Sequence, residues 1–228
     1  MSLVADKMEK GAGLNFQQRQ FLAVVSEEPL ILKNFYLTGG TALSSWYLHH
    51  RESYDLDFFT ENSFDYSQIT NWLRAKQKEI GYRWMGVDEG FQFYTYYFRF
   101  PDNSRLKTDF GKYTSKRLQR GILWKGIEID SLYDIAVNKT QMFLVKPRER
   151  DYIDLYFILQ NTDWKIDKLL ADVGAKFEIG YNPVQVAKNF FKAGEIIDYP
   201  KMLVPFDRKD MDKFYENLAK SLKKKIFK

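Results

Sequence analysis

The chain has 228 residues, a hydrophobic fraction of 45%, an aromatic fraction of 17%, a net charge of +5 and a pI of about 9.1. These values suit a folded protein with a sizeable core and exclude a disordered chain, and no apolar run reaches the roughly 18 residues of a membrane-spanning helix. Cysteine is absent, which excludes disulfides, thiolate metal sites and thiol nucleophiles and fits a reducing cytoplasm. The mild basic excess admits an anionic partner, such as RNA or a nucleotide phosphate, without requiring one.

The N-terminal MSLVADKMEKGAG lacks the apolar core of a signal peptide. Asn15 followed by Gln18 has the form of a capping box, and Phe21, Leu22 and Val25 supply apolar positions. A helix is therefore expected over residues 15–27, closed by Pro29. Phe35, Tyr36 and Leu37 read as a short buried strand ending at Gly39-Gly40. Thr41 then opens a helix with Leu43, Trp46, Tyr47 and His50 on one side. Tyr54 to Phe59 is the next strand, and residues 66–80 form a helix stopped by Gly81. The aromatic segment 91–100 suits a strand. PDNS at 101–104 is a turn signal, and 105–113 returns as the partner strand.

Gly126 to Ile129 is a further short strand. Ser131 with Asp134 caps a helix running to about Lys146, Pro147 to Arg150 turns, and Asp151 starts another helix. The remainder reads as helical, with Met211, Phe214, Tyr215, Leu218, Leu222 and Ile226 forming a terminal apolar stripe. The expected division is an α/β half, residues 1–130, and a helical half, residues 131–228, packed as neighbours.

The stretch YLTGGTALSSWYLHHRESYDLDFF, residues 36–59, concentrates the chemistry. Adjacent glycines at a strand-to-helix turn let a ligand approach the backbone, and the first helical N–H groups can donate to a phosphate. Thr41 can cap that turn and add a hydroxyl. Taken alone, a glycine pair is more often a plain tight turn. Asp55 and Asp57 lie two apart on a strand and share a face, with Leu56 and Phe58 pointing to the core. Two carboxylates held together repel unless a cation lies between them, and Mg²⁺ is a hard cation that takes carboxylate and phosphate oxygens. A solvated strand face is the alternative.

Asp109 supplies a third carboxylate if its strand neighbours the first, since the alternation puts Arg105, Lys107 and Asp109 opposite Leu106, Thr108 and Phe110. Such a trio supports metal-assisted phosphoryl or nucleotidyl transfer. Lys139 falls in the apolar stripe of its helix, at an inward spacing that calls for an anionic partner. A substrate phosphate is favoured over a snorkelling surface lysine. Asp151 and Asp154, at i and i+3, can orient Lys139 or Arg150. Asp151 also fits as a helix N-terminal acid. Adjacent His49 and His50 point too far apart on a helix to share one ion and are read as helix C-terminal residues.

Residues 39–59 resemble the signature of the AbiEii/AbiGii abortive-infection toxin family of nucleotidyltransferases. The glycine pair with Thr-Ala-Leu is Gly39, Gly40, Thr41, Ala42 and Leu43. The second block is His50, Arg51, Ser53, Asp55, Leu56, Asp57, Phe58 and Phe59. The family's Asn-Lys helix corresponds to Asn138-Lys139, and its Arg-Asp-x-x-Asp-Leu-Tyr to Arg150, Asp151, Asp154, Leu155 and Tyr156. The resemblance spans residues 14–160. Lys146 stands where the family often has arginine, Pro147 departs from its loop, and the segment after 160 matches no named pattern.

The resemblance implies an α+β fold: a polymerase-β-like nucleotidyltransferase core, with a mixed sheet flanked by helices, followed by a mainly helical half. It implies transfer of a nucleotide from a nucleoside triphosphate, with Mg²⁺ or Mn²⁺, to an acceptor. In related toxins that acceptor is the 3′ end of tRNA. It implies a cytoplasmic toxin–antitoxin or abortive-infection role in phage defence, with an antitoxin encoded nearby. On this reading Gly39, Gly40 and Thr41 hold the triphosphate, and Asp55, Asp57 and Asp109 bind the metal. In this scheme Asp109 completes the site and helps deprotonate the acceptor hydroxyl. Arg51 and Ser53 buttress the loop or touch phosphate, and Lys139 neutralises phosphate charge, with Arg150, Asp151 and Asp154 in support. The alternatives are nucleotidylation of a protein hydroxyl, a catalytically silent binding module on the same fold, and a housekeeping RNA-modifying enzyme.

Overall fold

The structure is a computed structural model that describes residues 11–226. Residues 1–10 of the segment read for a signal peptide lie outside the described residues. The chain divides into two compact units, Met1–Ser131 and Leu132–Lys228.

The first unit carries a seven-stranded mixed sheet. Helix α1 (Phe16–Val25) starts on the expected capping box: Asn15 and Gln18 exchange side-chain to backbone hydrogen bonds. Pro29 does not end this region. It stands at the first position of α2 (Pro29–Asn34), where its missing N–H costs nothing, and Glu28 caps the turn through the Leu30 N–H. Strand β1 (Tyr36–Thr38) leads into α3 (Gly39–Leu43), which widens into a π-turn over Ser44–Leu48 and closes on His49 at φ 49°. Strand β2 (Leu56–Thr60) begins after Tyr54 and Asp55.

The expected 66–80 helix is two pieces, α4 (Tyr66–Ala75) and α5 (Gln77–Ile80), broken at Lys76 and closed by Gly81 in the left-handed conformation. Strand β3 (Trp84–Gly90) was not expected. Two glycines, two acids and an exposed edge position give it no alternation to read. Strands β4 (Phe93–Arg99) and β5 (Arg105–Lys112) form the anticipated hairpin. Strand β6 (Ile122–Trp124), also unanticipated, pairs with β7 (Ile127–Ile129).

The sheet order is β3-β4-β5-β2-β1-β7-β6. The β2/β5 and β1/β7 pairs are parallel and the others antiparallel. Phe58 and Phe110 are register partners and stack at 4.9 Å. Phe21 of α1 packs on Phe58 and Phe98, so the helix covers the face opposite the carboxylates.

The second unit is helical: α6 (Leu132–Met142), α7 (Glu149–Gln160), α8 (Ile166–Phe177), α9 (Pro183–Phe191), α10 (Arg208–Ser221) and α11 (Lys223–Ile226). Helix α6 ends earlier than expected because the chain turns at Phe143, where the Asn189 amide donates to the Phe143 and Val145 carbonyls at 2.8 and 3.3 Å. Asp134, expected to close a capping box with Ser131, is buried and receives Lys176 Nζ at 2.7 Å. Phe143 packs on Tyr152, Phe190 and Tyr215, and the Tyr215 hydroxyl donates to the Tyr152 carbonyl. Met211, Tyr215 and Leu222 of the terminal stripe are buried.

Candidate active site

The turn from β1 into α3 shows what the glycine pair is for. Thr38 anchors the end of β1 by donating its hydroxyl to Asp130 Oδ2 at 2.7 Å. Gly39 then adopts φ +75°, and a Cβ there would collide with the Asp57 carboxylate. A Cβ on Gly40 would lie 2.7 Å from Arg51 Nη2 and 3.1 Å from Ser53 Oγ. One glycine admits Asp57 and the next admits Arg51 and Ser53, so the pair serves the chain's own packing before any ligand is considered. Arg51 is only 2% exposed and donates to the Glu52 carbonyl. That places it as a buttress under the turn. The Ser53 carbonyl accepts from the buried Gln18 amide at 3.0 Å.

Thr41 does not open its helix. It is the third residue of α3, and its hydroxyl donates to the Asp55 carbonyl. This bond ties the helix to the residue preceding β2 and so fixes where Asp55 sits.

Asp57 and Asp109 lie on two neighbouring strands, and Asp55 immediately precedes the first of them. Asp57 is the register partner of Asp109 across the parallel β2/β5 pair. Leu56 and Phe58 are buried while Asp55 and Asp57 are partly exposed, which agrees with the alternation. Asp109 Oδ1 accepts from Thr95 Oγ1 on β4 at 2.7 Å. Lys107, two residues before Asp109 and on the same face, places Nζ 2.5 Å from Asp109 Oδ2 and 3.9 Å from Asp55 Oδ2. Burial would lower the Lys107 pKa, but the hydrogen bond to Asp109 and the charges of Asp109, Asp55 and Asp57 outweigh it and raise it.

The strand neighbourhood that the three-carboxylate expectation required is present, with Asp57 beside Asp109. Among the described residues no three acidic or histidine side chains are grouped closely enough to hold a metal. Asp109 is instead paired with the ammonium of Lys107. The donor set still fits a hard divalent cation: it is all carboxylate oxygen, and it already holds a positive charge.

In the second unit, Lys139 is buried and bound to two carboxylates of α7, Asp151 at 2.8 Å and Asp154 at 2.7 Å. The other oxygen of Asp151 accepts from the Arg148 backbone N–H at 2.9 Å, capping the helix. Of the two cations considered for these acids, Lys139 is the one they bind. Arg150 is half-exposed on α7. Burial would raise the Asp151 pKa, yet Lys139 and the Arg148 N–H hold it below the ordinary carboxylate value.

Sequence reasoning missed Lys107, Thr95 and Asp130 as site residues. A signal existed for Lys107, since Lys-x-Asp on a strand places both charges on one face. Thr95 needed the register of the expected hairpin, which sets it opposite Asp109.

The family described as nucleotidyl transferase AbiEii toxin, of a type IV toxin–antitoxin system, matches residues 21–225. The chain belongs to the AbiEii nucleotidyltransferase toxin family. A relative of this AbiEii chain, the uncharacterized protein aq_aa25 of Aquifex aeolicus, is 25% identical over 208 residues, spanning 86% of this chain and 88% of its own length. Two Helicobacter pylori crystal structures share the fold at 17% identity: JHP933, and a protein provisionally described as a nucleotidyltransferase. Each covers 92% of this chain, with TM-scores of 0.56 and 0.58 and 90% and 93% of their own lengths covered. The expected α+β nucleotidyltransferase fold is the one observed. As an AbiEii member the protein is a nucleotidyltransferase of a toxin–antitoxin family. Among the described residues no helix is long and apolar enough to cross a membrane.

Proposed function

We propose that this AbiEii nucleotidyltransferase moves a nucleotide from a nucleoside triphosphate to the 3′ end of tRNA, with Mg²⁺ as cofactor, as the toxin of a phage-defence pair held in check by an antitoxin. The observation that carries this reading is the seating of Asp57 against Gly39 and in register with Asp109. It puts carboxylates beside the first turn of α3. The backbone N–H groups at Gly40 and Thr41 are assigned to the triphosphate. Arg51 and Ser53 hold that turn from beneath.

Asp55, Asp57 and Asp109 are assigned to the cofactor. When bound, Mg²⁺ supplies charge neutralisation for the triphosphate and the departing pyrophosphate. Asp109, backed by Thr95, is assigned the proton of the acceptor hydroxyl. Lys139, paired with Asp151 and Asp154, is assigned to phosphate charge by the resemblance alone. The tRNA acceptor rests on the resemblance to related toxins and on the basic excess of the chain.

The test is incubation of the pure protein with each labelled nucleoside triphosphate, Mg²⁺ and total tRNA, with Asp55→Ala/Asp57→Ala as control. Label entering tRNA only with the intact carboxylates is the expected result, and it names the nucleotide. Label on a polypeptide would replace the acceptor. Nucleotide binding with no label in any product would leave a silent member of the family.

A further inference from the structure

Lys107 has no part in the scheme above, yet its ammonium lies among the carboxylates assigned to the cofactor. It shares a strand face with Asp109, touches Asp109 at 2.5 Å and stands 3.9 Å from Asp55. The Lys107 and Asp55 side chains keep about a third of their surface in water, at 34% and 33%. The long contact to Asp55 is therefore weak, whereas Asp109, with 7% of its side chain exposed, needs a cation beside it, so the ammonium can leave it only when another cation takes its place. A lysine stem is long and flexible, so its charge can move while β5 stays in place.

We propose that Lys107 is an exchangeable internal counter-ion. In the metal-free protein its ammonium neutralises Asp55 and Asp109. When a divalent cation is present the ammonium yields that place and turns to the phosphates of the nucleotide. This inference rests on the proposed metal-dependent nucleotidyl transfer. It makes Lys107 a residue that couples cation binding to triphosphate binding: metal-free, it screens the carboxylates; metal-bound, it adds a positive charge for the polyphosphate.

The test is Mn²⁺ binding followed by electron paramagnetic resonance, without nucleotide, in the wild type and in Lys107→Met, Lys107→Arg and Asp57→Asn. Removing a competing charge should tighten Mn²⁺ binding about tenfold in Lys107→Met, whereas Lys107→Arg should stay near wild type. With Mn²⁺ saturating, Lys107→Met should bind a non-hydrolysable triphosphate analogue several-fold more weakly than wild type. A thermal melt close to wild type would show that the variants fold. Mn²⁺ affinity in Lys107→Met that is unchanged or weaker, while Asp57→Asn loses binding, would overturn the role of the lysine and leave the metal site standing. Failure of both wild type and Lys107→Met to bind Mn²⁺ would overturn this inference together with the metal reading beneath it.

Discussion

Two lysines of this protein are each held by a pair of aspartates, and burial separates them. Lys139 lies between Asp151 and Asp154, two carboxylates with no exposed side-chain surface, and keeps 10% of its own. Lys107 lies between Asp109 and Asp55 with a third of its side chain in water, and only one of its two contacts is short. A buried trio of charges has given up its hydration and is held by its mutual attraction, so losing one member leaves the others uncompensated. An exposed pair loses little when it opens, because water and salt replace the partner. The same two residue types therefore make a fully buried tie between α6 and α7 in one unit and, in the other, a contact with one buried carboxylate and one exposed one.

The comparison breaks first, and by most, on activity. Asp57→Ala should lower nucleotidyl transfer by about a thousandfold or more while the urea midpoint stays near wild type. Single-turnover assays at saturating nucleotide measure this, and normal turnover would remove the metal site from the mechanism. The next largest effect is on stability. Lys139→Met should cost about 3–5 kcal/mol because it strands two fully buried carboxylates, while Lys107→Met strands one, Asp109, and should cost less. Urea denaturation of both variants decides it, and equal losses would erase the distinction between the clusters.

A smaller effect sharpens the active-site side alone. Gly39→Ala forces a side chain into φ +75° and onto the Asp57 carboxylate, so it should cost about 1–3 kcal/mol. Transfer should fall further than this stability loss explains, since the variant displaces the carboxylate itself. A Gly39→Ala protein with full turnover would show that the seat of Asp57 does not matter.

Much of this site was legible because it is local. The glycine pair, Asp55 and Asp57 lie within one strand–helix–strand passage, and the alternation of Leu56 and Phe58 against the aspartates follows from strand geometry. Asp109 needed one assumption, that its strand neighbours β2, and the parallel register supplies it. What sequence could not give was which atoms the glycines make room for. That depends on Arg51 and Asp57 folding back under the turn from later in the chain. Strand β3 escaped notice because an exposed edge strand has no core side and hence no hydrophobic period. Lys176 on Asp134 and Asn189 on the end of α6 are contacts between residues about forty apart, and no local pattern marks them.

The least of the predicted effects sets the two clusters at opposite ends of the pH scale. The folded-state pKa of Asp151 is depressed, because Lys139 and the Arg148 N–H outweigh the burial that would raise it. Its unfolded form titrates near the ordinary carboxylate value of about 3.9. Above that value the contribution of Asp151 to stability is fully present. As pH falls through the lower folded value, the unfolded chain has already taken up its proton and the contribution is lost. Lys107 has the opposite sign. Its folded pKa is raised by Asp109 and Asp55 against the burial that would lower it, so on the alkaline side its contribution is present below the ordinary lysine value of about 10.4 and lost as pH rises beyond it. Urea midpoints measured from pH 2 to pH 5, in roughly half-unit steps, should therefore decline more steeply in wild type than in Asp151→Asn, and midpoints above about pH 10 should decline more steeply in wild type than in Lys107→Met. An alkaline limb left unchanged by Lys107→Met would mean that the ammonium is not held by the carboxylates, and the exchange of Lys107 for a cation would lose its physical basis.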